Sequence, residues 1–452
     1  MSIYPFLCEK ILMPAADIAT RNKTMKCYDF YKQSQWWGRQ DLKKYQDQRL
    51  LETIQIAYNE VPFYKELYDE SGVDIRNITR TEDLTLLPIV SKDQLRNNYP
   101  DKCVRDSGHS WSEFCTSGSS GSPFAVRVDS NTMSQARALM LLRANYSGWE
   151  IGNPFLQTGM TLHRGIVKKV KDLLMRVEYV SAFNLSDRIL DNYLQLIEDK
   201  RINYVMGYAG SLFCLAERAE QKGFNREMKG LVSWGDNLYK HYRTKIEKVF
   251  HCGVTDTYGC GEGIQIAAQC GMNDNAYHIF MPHVALEIVD DDGFPVKSGE
   301  LGNVLLTRLD AGAMPLIRYK VGDIGRKSSA ETCCCGRGLE MLTKIEGRDT
   351  DVVLTPNGNR LIVHFFTGIF EYYQSIDTFR IIQDKLGEIT VQIVPRSNFN
   401  SEISERLIKE IKNKGDSDLQ INLEFVEEIP LEKSNKRRFV VSKLAKGIET
   451  TL

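Results

Sequence analysis

The sequence predicts an α/β protein: a large N-terminal α/β domain with layered sheets and a β-rich subdomain, followed by a small, mobile α+β domain. Strand patterns alternate with helix patterns between residues 124 and 250, which is typical of α/β layers around a largely parallel sheet. Alternating apolar residues and turn residues dominate about 280–346, and the composition changes after it. We therefore expect domains at 1–346 and 347–452, the second long enough for a small fold.

The composition excludes several classes of protein. The chain has 452 residues, 42% hydrophobic and 26% charged, as expected of a soluble globular protein with two or three domains. Its net charge of −1 gives no overall attraction to nucleic acid or anionic membranes. No apolar run approaches the ~20 residues of a membrane helix. Glu9 and Lys10 interrupt the apolar N-terminus, so this segment is a poor match to an export signal. Without such a signal, the eleven cysteines indicate reduced thiols in the cytoplasm.

Helical periodicity and turn residues predict the elements in order. We expect residues 1–100 to be a helical scaffold, with a helix over 41–60, a short strand from Leu87 and a helix capped by Ser91. The other elements that we predict are strands at 124–128, 204–208, 230–234, 284–289, 294–296, 302–307, 389–394 and 420–427, and helices at 130–146, 187–200, 212–221, 237–250 and 401–414. Ala209-Gly210-Ser211 is interpreted as a turn, and an Asp-Gly turn predicts that 284–289 and 294–296 form a hairpin. Tyr208 and Gly235 fall at the carboxyl ends of strands, where such sheets bind ligands.

One loop stands out chemically: Thr116-Ser117-Gly118-Ser119-Ser120-Gly121-Ser122-Pro123. The backbone N–H groups and hydroxyls of such a loop can surround an anion, and nucleotide phosphates are the usual one. It lacks the Gly-Lys-Ser/Thr ending of a Walker loop. On its own the segment is explained equally well as a flexible hairpin connection.

Four further polar segments follow the loop. They are Asp256-Thr257-Tyr258-Gly259-Cys260-Gly261-Glu262, Arg318-Tyr319-Lys320-Val321-Gly322-Asp323, Gly347-Arg348-Asp349-Thr350-Asp351 and Ser434-Asn435-Lys436. The first offers a ring and a carboxylate, and the second ends on a carboxylate that accepts hydrogen bonds. Taken singly, each could also be ordinary structure: a buried tyrosine, a Gly-Asp turn, a charged linker and a solvated tail.

Together and in this order, the five segments resemble the signatures of the adenylate-forming enzymes. The phosphate loop matches Thr-Ser-Gly-(Ser/Thr)-(Ser/Thr)-Gly-x-Pro, whereas Gly261, Val321, Thr350 and Asn435 depart from the later patterns. Val61-Pro62-Phe63-Tyr64 and Leu87-Pro88-Ile89-Val90-Ser91-Lys92 are similar to the branch of phenylacetate–CoA ligase and the capsule-biosynthesis protein CapK. The resemblance covers most of the chain.

The resemblance implies ATP-dependent activation of a small carboxylic acid as its acyl-adenylate, followed by transfer to a thiol, most commonly coenzyme A. It implies catalytic roles for Thr116, Glu262 and Lys436, and a Mg²⁺ ion on Glu262. The residues that it implies for nucleotide binding are Ser117, Gly118, Ser119, Ser120, Gly121, Trp234, Gly235, Asp236, Asp256, Tyr258, Gly259, Asp323 and Arg348. The small domain would rotate about residues near 349–351 between the two steps.

Two alternatives stay open. The acyl group could pass to an amine during capsule or exopolysaccharide biosynthesis, or the chain could be a nucleotide-binding protein that has lost catalysis, since Gly261, Thr350 and Asn435 depart from the signatures. The identity of the acid is not encoded in the segments, and a homodimer is left open as the assembly state.

A second resemblance to the same branch concerns cysteines. Thr332-Cys333-Cys334-Cys335-Gly336-Arg337 is similar to its Cys-x-Cys-Gly-Arg stretch, and Cys270 and His278 precede it. Cys270, His278, Cys333 and Cys335 would make a Cys₃His set of the structural zinc type. Cys334 or His283 could replace one ligand, and free buried cysteines are the alternative without metal.

Overall fold

A computed structural model describes residues 3–116, 124–160, 164–182, 185–235, 237–272, 276–346, 353–361, 363–370, 372–373, 375–429 and 439–444. The helices are α1 (Ile3–Leu7), α2 (Met13–Thr20), α3 (Thr24–Ser34), α4 (Arg39–Glu60), α5 (Pro62–Glu70), α6 (Lys92–Asn98), α7 (Ser130–Asn145), α8 (Ile166–Met175), α9 (Asp187–Asp199), α10 (Ala209–Gln221), α11 (Lys240–Phe250), α12 (Val363–Phe370) and α13 (Ser401–Lys414). The strands are β1 (Trp111–Thr116), β2 (Phe124–Asp129), β3 (Phe155–Gly159), β4 (Val177–Ser181), β5 (Tyr204–Tyr208), β6 (Gly230–Trp234), β7 (Val254–Gly259), β8 (Gln265–Gln269), β9 (Tyr277–Ile279), β10 (Val284–Val289), β11 (Leu301–Arg308), β12 (Tyr319–Lys327), β13 (Met341–Glu346), β14 (Val353–Leu354), β15 (Arg360–Leu361), β16 (Ile376–Lys385), β17 (Glu388–Pro395), β18 (Gln420–Phe425) and β19 (Val440–Ser442). The predicted α/β fold class is confirmed.

The chain separates into two compact units. Within the described ranges, the first unit contains residues 3–116, 124–151 and 255–346, and the second contains 152–254 and 353–444. The boundary that we predict at 346/347 stays a prediction. Among the described helices, none has both the length and the apolar character required to cross a membrane.

In the first unit, an antiparallel sheet runs in the order β10-β11-β12-β13-β9-β8-β7. This sheet lies outside residues 124–250, the region for which a largely parallel sheet is predicted. The predicted hairpin is present in short form, because Val289 and Pro295 make an antiparallel bridge and the Val296 N–H donates to the Ile288 carbonyl at 3.0 Å. The main partner of β10 is nevertheless β11. The predicted turn is present, with the Gly293 N–H bonded to the Asp290 carbonyl.

The N-terminal helices are joined to this sheet by the segment before α6. Val90 forms a parallel bridge with Tyr319, and the Arg318 guanidinium donates to the Leu87 and Gly293 carbonyls at 2.6 and 2.5 Å. Arg318 also pairs with the largely buried carboxylate of Glu287 at 3.2 Å. The Ser91 hydroxyl accepts from the Gln94 N–H, which confirms the predicted cap and fixes the start of α6. Lys92, at the first position of α6, is thereby held against β12.

In the second unit, β6-β5-β3-β4 form a parallel sheet, as predicted for this part of the chain. The predicted turn at Ala209–Ser211 is wrong, because α10 already begins at Ala209. Tyr208 keeps an extended backbone, and the Ser211 hydroxyl donates to its carbonyl at 2.8 Å. Gly and Ser are turn residues in isolation, but here they form the first turn of a helix.

The C-terminal residues have their own hydrophobic core. A four-stranded sheet in the order β18-β17-β16-β19 shares this core with α12 and α13, through buried side chains such as Phe366, Val391 and Leu407. The strand predicted at 389–394 and the helix predicted at 401–414 are confirmed as β17 and α13. A separate core is what an independently folding α+β domain requires.

Candidate functional site

The glycine-rich loop connects the two strands of an antiparallel hairpin. Thr116, at the end of β1, lies opposite Phe124, at the start of β2. Ser117, Gly118, Ser119, Ser120 and Gly121 lie outside the described residues, as do Asp236, Arg348 and Lys436. The strand predicted after the loop, 124–128, is confirmed as β2. The loop itself lies outside the described residues. Thr116 and Phe124 are the last paired residues before the loop, and both lie in the first unit.

Glu262 lies at the centre of a buried polar cluster next to this hairpin. Its side chain is only 2% exposed, and Oε1 accepts a hydrogen bond from the Tyr319 hydroxyl at 2.7 Å. The Lys92 ammonium lies 3.0 Å from the same oxygen. It also lies 5.7 Å from the centre of the Phe124 ring, which stacks on Tyr319. The loop's exit strand, the carboxylate and a lysine therefore meet at one place.

Opposing effects set the charge of Glu262. Burial disfavours the carboxylate, but the Lys92 charge and the hydrogen bonds outweigh burial and hold the pKa of Glu262 below its ordinary value. Burial and the neighbouring Glu262 also raise the pKa of Tyr319, which keeps its hydroxyl a donor. At neutral pH the cluster is a carboxylate paired with an ammonium.

The carboxylate is a suitable ligand type for the Mg²⁺ implied by the resemblance, because Mg²⁺ prefers oxygen ligands and accompanies phosphates. The Lys92 and Tyr319 contacts on Oε1 add a condition. A Mg²⁺ ion must use the other carboxylate oxygen or compete with Lys92, and phosphate oxygens must complete its coordination. Glu262 alone therefore offers at most one oxygen ligand, and the other ligands of a Mg²⁺ ion would have to come from a nucleotide and water.

Replacing Lys92 by Met tests this charge balance. Without the ammonium, burial dominates and raises the pKa of Glu262 above its unfolded value, whereas the wild-type pKa is depressed. The wild-type carboxylate contributes stability above the unfolded pKa and loses it as the pH falls through the folded pKa. In the variant, the buried carboxyl instead costs stability as the pH rises. We expect the stability difference between the two proteins to be larger at pH 7.5 than at pH 4.5, measured by denaturant unfolding. A difference that is independent of pH would contradict the pairing.

Asp323 is brought to Tyr258 by a bulge in β12. Asn303 pairs with Ile324 and Leu305 with Lys320, so one residue of β11 faces three of β12. Gly322, inside the bulge, has φ +94°, a backbone conformation that glycine adopts without strain. The Tyr258 hydroxyl donates to Asp323 Oδ2 at 2.9 Å, and the carboxylate is only half-buried. A half-buried carboxylate with one oriented oxygen can accept hydrogen bonds from a ligand's hydroxyls.

The strand that carries Tyr258 is held by further polar contacts. The Tyr277 hydroxyl donates to Asp256 Oδ2 at 2.5 Å, and Gln269 Oε1 accepts from the Asp256 N–H at 3.3 Å. Gly259 follows, and a Cβ there would lie 2.8 Å from the Ile264 carbonyl oxygen. The close approach of the two chain segments explains why glycine occupies this position. Asp256 and Gly259 thus fix β7 and the tight turn that brings Glu262 into the core.

In the second unit, Trp234, which is expected to border adenine, stands at a strand end beside Tyr208. Tyr208 and Trp234 are paired at the carboxyl ends of β5 and β6, and their rings meet edge to face with centroids 6.4 Å apart. Gly235 follows with φ +80°. The strand ends predicted from the sequence are confirmed here, while the roles of Trp234 and Gly235 in nucleotide binding stay predictions.

The four predicted zinc ligands converge in the first unit. The ligand atoms of Cys270, His278, Cys333 and Cys335 all lie within 4.8 Å of one another. The Cys270 and Cys333 sulfurs are 3.6 Å apart, and Cys335 Sγ is 3.4 Å from His278 Nε2. A tetrahedral zinc ion with Zn–S bonds of about 2.3 Å has sulfur–sulfur edges of about 3.8 Å. The donor set and its spacing therefore fit zinc.

The surroundings act differently on the four residues of the cluster. Burial raises the pKa of Cys270, and that of Cys333 to about 12, so these two side chains stay thiols unless a metal ion binds them. Burial lowers the pKa of His278 to about 4, so its imidazole is neutral. Burial opposes ionisation of Cys335, but the Arg337 backbone and side chain hold its pKa below the ordinary value. The Cys335 N–H also lies 3.4 Å from the Cys333 sulfur. Of the alternative ligands, Cys334 is exposed and His283 contacts Tyr31 instead, so neither belongs to the cluster.

Sequence reasoning missed Lys92 and Tyr319 as members of the Glu262 cluster. Both residues lie inside the motif segments Leu87–Lys92 and Arg318–Asp323, but no local pattern there assigns a role to either of them. The signal that could have found Lys92 is its place directly after a predicted strand and helix cap. Their contact with Glu262 depends on the Val90–Tyr319 bridge, which no local pattern reveals.

Comparisons with known proteins agree with this fold. Residues 353–443 match the CapK C-terminal domain family. Phenylacetate–coenzyme A ligase of Thermus thermophilus is 26% identical, covering 82% of this chain and 84% of that protein. Protein CapK of Staphylococcus aureus is 22% identical over 89% of this chain and 90% of its own length. The structure of 2-hydroxyisobutyryl-CoA ligase in complex with 2-HIB-AMP and CoA superposes with a TM-score of 0.59 at 19% identity, covering 90% and 91% of the two chains.

The chain is thus similar in fold, along most of its length, to adenylate-forming ligases. In sequence it is similar to the phenylacetate–coenzyme A ligases and to CapK, and its residues 353–443 match the CapK C-terminal domain family.

Proposed function

We propose that this protein is an ATP-dependent, AMP-forming ligase that activates a carboxylic acid and transfers its acyl group to coenzyme A. The observation that carries the proposal is the meeting of Glu262, Lys92 and the Phe124 end of the loop hairpin in one buried cluster. The names of the relatives, phenylacetate–coenzyme A ligase and 2-hydroxyisobutyryl-CoA ligase, support the reaction class. A cytoplasmic location stays a prediction.

In the first step, a carboxylate oxygen of the acid attacks the α-phosphorus of ATP, and the bond to the β-phosphate bridging oxygen breaks. The products are the acyl-adenylate and pyrophosphate. Activation is needed because oxide is a poor leaving group from a carboxylate, whereas AMP is a good one. Positioning and charge neutralisation account for most catalysis of such a step.

The chain's own residues divide this work. Ser117, Ser119, Ser120 and the loop amides would hold the outer phosphates, with Thr116 at the loop's entrance. Lys92, oriented by Glu262, adds a positive charge beside the loop's exit strand. Lys436 would bridge the carboxylate and the α-phosphate, as the resemblance implies. A Mg²⁺ ion shared by Glu262 and the phosphates would supply further charge neutralisation when bound.

Asp323 and Arg348 would hold the ribose side, and Tyr258 and Trp234 would border adenine. The C-terminal domain would then rotate about 349–351 so that the thiol of coenzyme A attacks the acyl carbon and releases AMP. The zinc ion would have a structural role, because none of its ligands belongs to the Glu262 or Asp323 clusters.

Asp323→Ala tests the ribose contact. A charge-assisted hydrogen bond contributes about 1.5–3 kcal/mol, so we expect the KM for ATP to rise about 10-fold or more. Tyr258→Phe is the matched control, because it removes only the internal hydrogen bond to Asp323 and should change the KM far less. An unchanged KM in Asp323→Ala would refute the assignment.

The reaction products show whether coenzyme A or an amine accepts the acyl group. We expect incubation with ATP, Mg²⁺, coenzyme A and a panel of aryl, fatty and hydroxy acids to give AMP, pyrophosphate and one acyl-CoA thioester, resolved by mass spectrometry. The second candidate, transfer to an amine, is favoured by the match of residues 353–443 to the CapK C-terminal domain. It predicts an amide with amino sugars in place of the thioester. Nucleotide binding with neither product would identify an inactive relative and refute the proposal.

A further inference from the structure

Helix α8, between β3 and β4, turns apolar side chains to solvent. Ile166, Val170, Leu173 and Leu174 are 82%, 51%, 76% and 41% exposed. At 100° per residue, these four positions lie within an arc of roughly 100° on the helix surface. They therefore form one continuous apolar stripe rather than scattered exposed residues.

The opposite face of α8 is the one that contacts the protein. Met175 is 5% exposed, and the half-buried Asp172 accepts a hydrogen bond from Arg164 Nη2 at 2.7 Å. The Arg164 guanidinium lies 4.0 Å from the centre of the Tyr179 ring on β4. A surface helix of a globular protein normally buries its apolar face. In α8 this orientation is reversed, so the apolar stripe is available to a ligand.

The charges on α8 identify the kind of surface that would cover the stripe. Lys168, Lys169 and Lys171 are exposed, and Lys169 and Lys171 flank the stripe on its two sides. Asp172 is the helix's acidic residue, and Arg164 neutralises it. An apolar stripe bordered by lysines is suited to an interface in which apolar groups lie below a layer of negative charge.

We propose that α8 docks this protein onto the surface of an anionic lipid bilayer. The apolar stripe would enter the boundary between headgroups and acyl chains, while the lysines contact lipid phosphates. The attraction is local, which reconciles it with the net charge of −1 of the whole chain. Docking does not depend on the adenylation reaction, so its failure would leave the proposed function intact.

The test is flotation of the full-length protein with vesicles of phosphatidylglycerol and phosphatidylethanolamine, compared with vesicles of phosphatidylcholine. We expect binding to the anionic vesicles that weakens as salt is raised. Leu173→Asp with Ile166→Asp should reduce the vesicle partition coefficient at least about tenfold, because both groups must leave the acyl region. Lys169→Glu with Lys171→Glu should reduce it by a similar factor and remove the salt dependence.

Leu386→Asp and Lys409→Glu are the matched controls, because Leu386 is 63% exposed and Lys409 is an exposed lysine of α13. Thermal unfolding checks that each variant is folded. The proposal would be overturned if the α8 variants and the controls bound anionic vesicles equally well. It would also be overturned if the wild-type protein floated with neither kind of vesicle. Self-association of the wild type that is lost in Leu173→Asp, without vesicle binding, would instead assign the stripe to a second copy of the chain and also overturn it.

Discussion

Glu262→Gln is expected to lower the rate of acid-dependent ATP–pyrophosphate exchange at least about 100-fold, the usual effect of removing one preorganised electrostatic group from an active site. The change keeps the shape of the side chain and removes its charge. Lys92 would then lose the anion 3.0 Å away that orients it, and the carboxylate oxygen available to a Mg²⁺ ion would be lost as well. The orientation of Lys92 and the oxygen ligand for Mg²⁺ both stabilise the negative charge that moves onto pyrophosphate in the first step, so losing them slows that step.

Glu287→Gln is the matched control for this prediction. Glu287 is also a largely buried glutamate of the first unit, and it is also paired with a cation, Arg318, at 3.2 Å. Its ion-pair partner, Arg318, is not one of the residues that we assign to the nucleotide. We expect this variant to lose stability while its folded fraction exchanges pyrophosphate at the wild-type rate. If Glu262→Gln retained exchange within about threefold of Glu287→Gln, the buried cluster would have no catalytic role.

The second large effect concerns the metal. We expect purified protein to hold about one zinc ion per chain after extensive dialysis, measured by plasma mass spectrometry, and Cys333→Ser to lose it. Metal binding contributes directly to folding stability, so its loss should cost several kcal/mol. For a domain of this size, each kcal/mol shifts the melting temperature by about 2–4 °C. We therefore expect Cys333→Ser to melt about 10 °C or more below the wild type.

Cys334→Ser separates the loss of a ligand from the loss of a cysteine. Cys334 lies directly between two of the ligands in sequence, yet it is exposed and outside the cluster. We expect this variant to keep both its zinc and its melting temperature. Equal melting temperatures for Cys333→Ser and Cys334→Ser, or wild-type protein that binds no metal after dialysis against zinc, would refute a structural zinc site.

The sequence was most informative where local patterns decide the structure. The predicted helix at 401–414 coincides with α13, because Asn400 caps it through the Ile403 N–H and apolar residues recur at helical spacing. Strand direction was predictable where helices alternate with strands, but not in the β-rich part, because side-chain alternation has the same period in parallel and antiparallel strands. The antiparallel pairing of β7–β13 therefore had to come from the structure.

The same difference between local and distant information applies to the candidate site. The Asp256–Glu262 and Arg318–Asp323 segments could be singled out from their residue types, and the structure joins them through the Tyr258–Asp323 hydrogen bond. The participation of Lys92 could not be predicted, because it follows from the distant Val90–Tyr319 bridge. Helix α8 is not among the predicted helices, and periodicity could not have revealed its outward stripe, since it does not tell which face of a helix contacts the protein.

The central claim is that this chain makes the α-phosphorus of ATP accept a carboxylate. The most direct measurement is exchange of labelled pyrophosphate into ATP, without coenzyme A, across a panel of carboxylic acids. The account predicts exchange that requires one class of acid and Mg²⁺ and that falls at least about 100-fold in Glu262→Gln. Exchange that no acid stimulates, or cleavage of ATP to ADP and phosphate in its place, would contradict it.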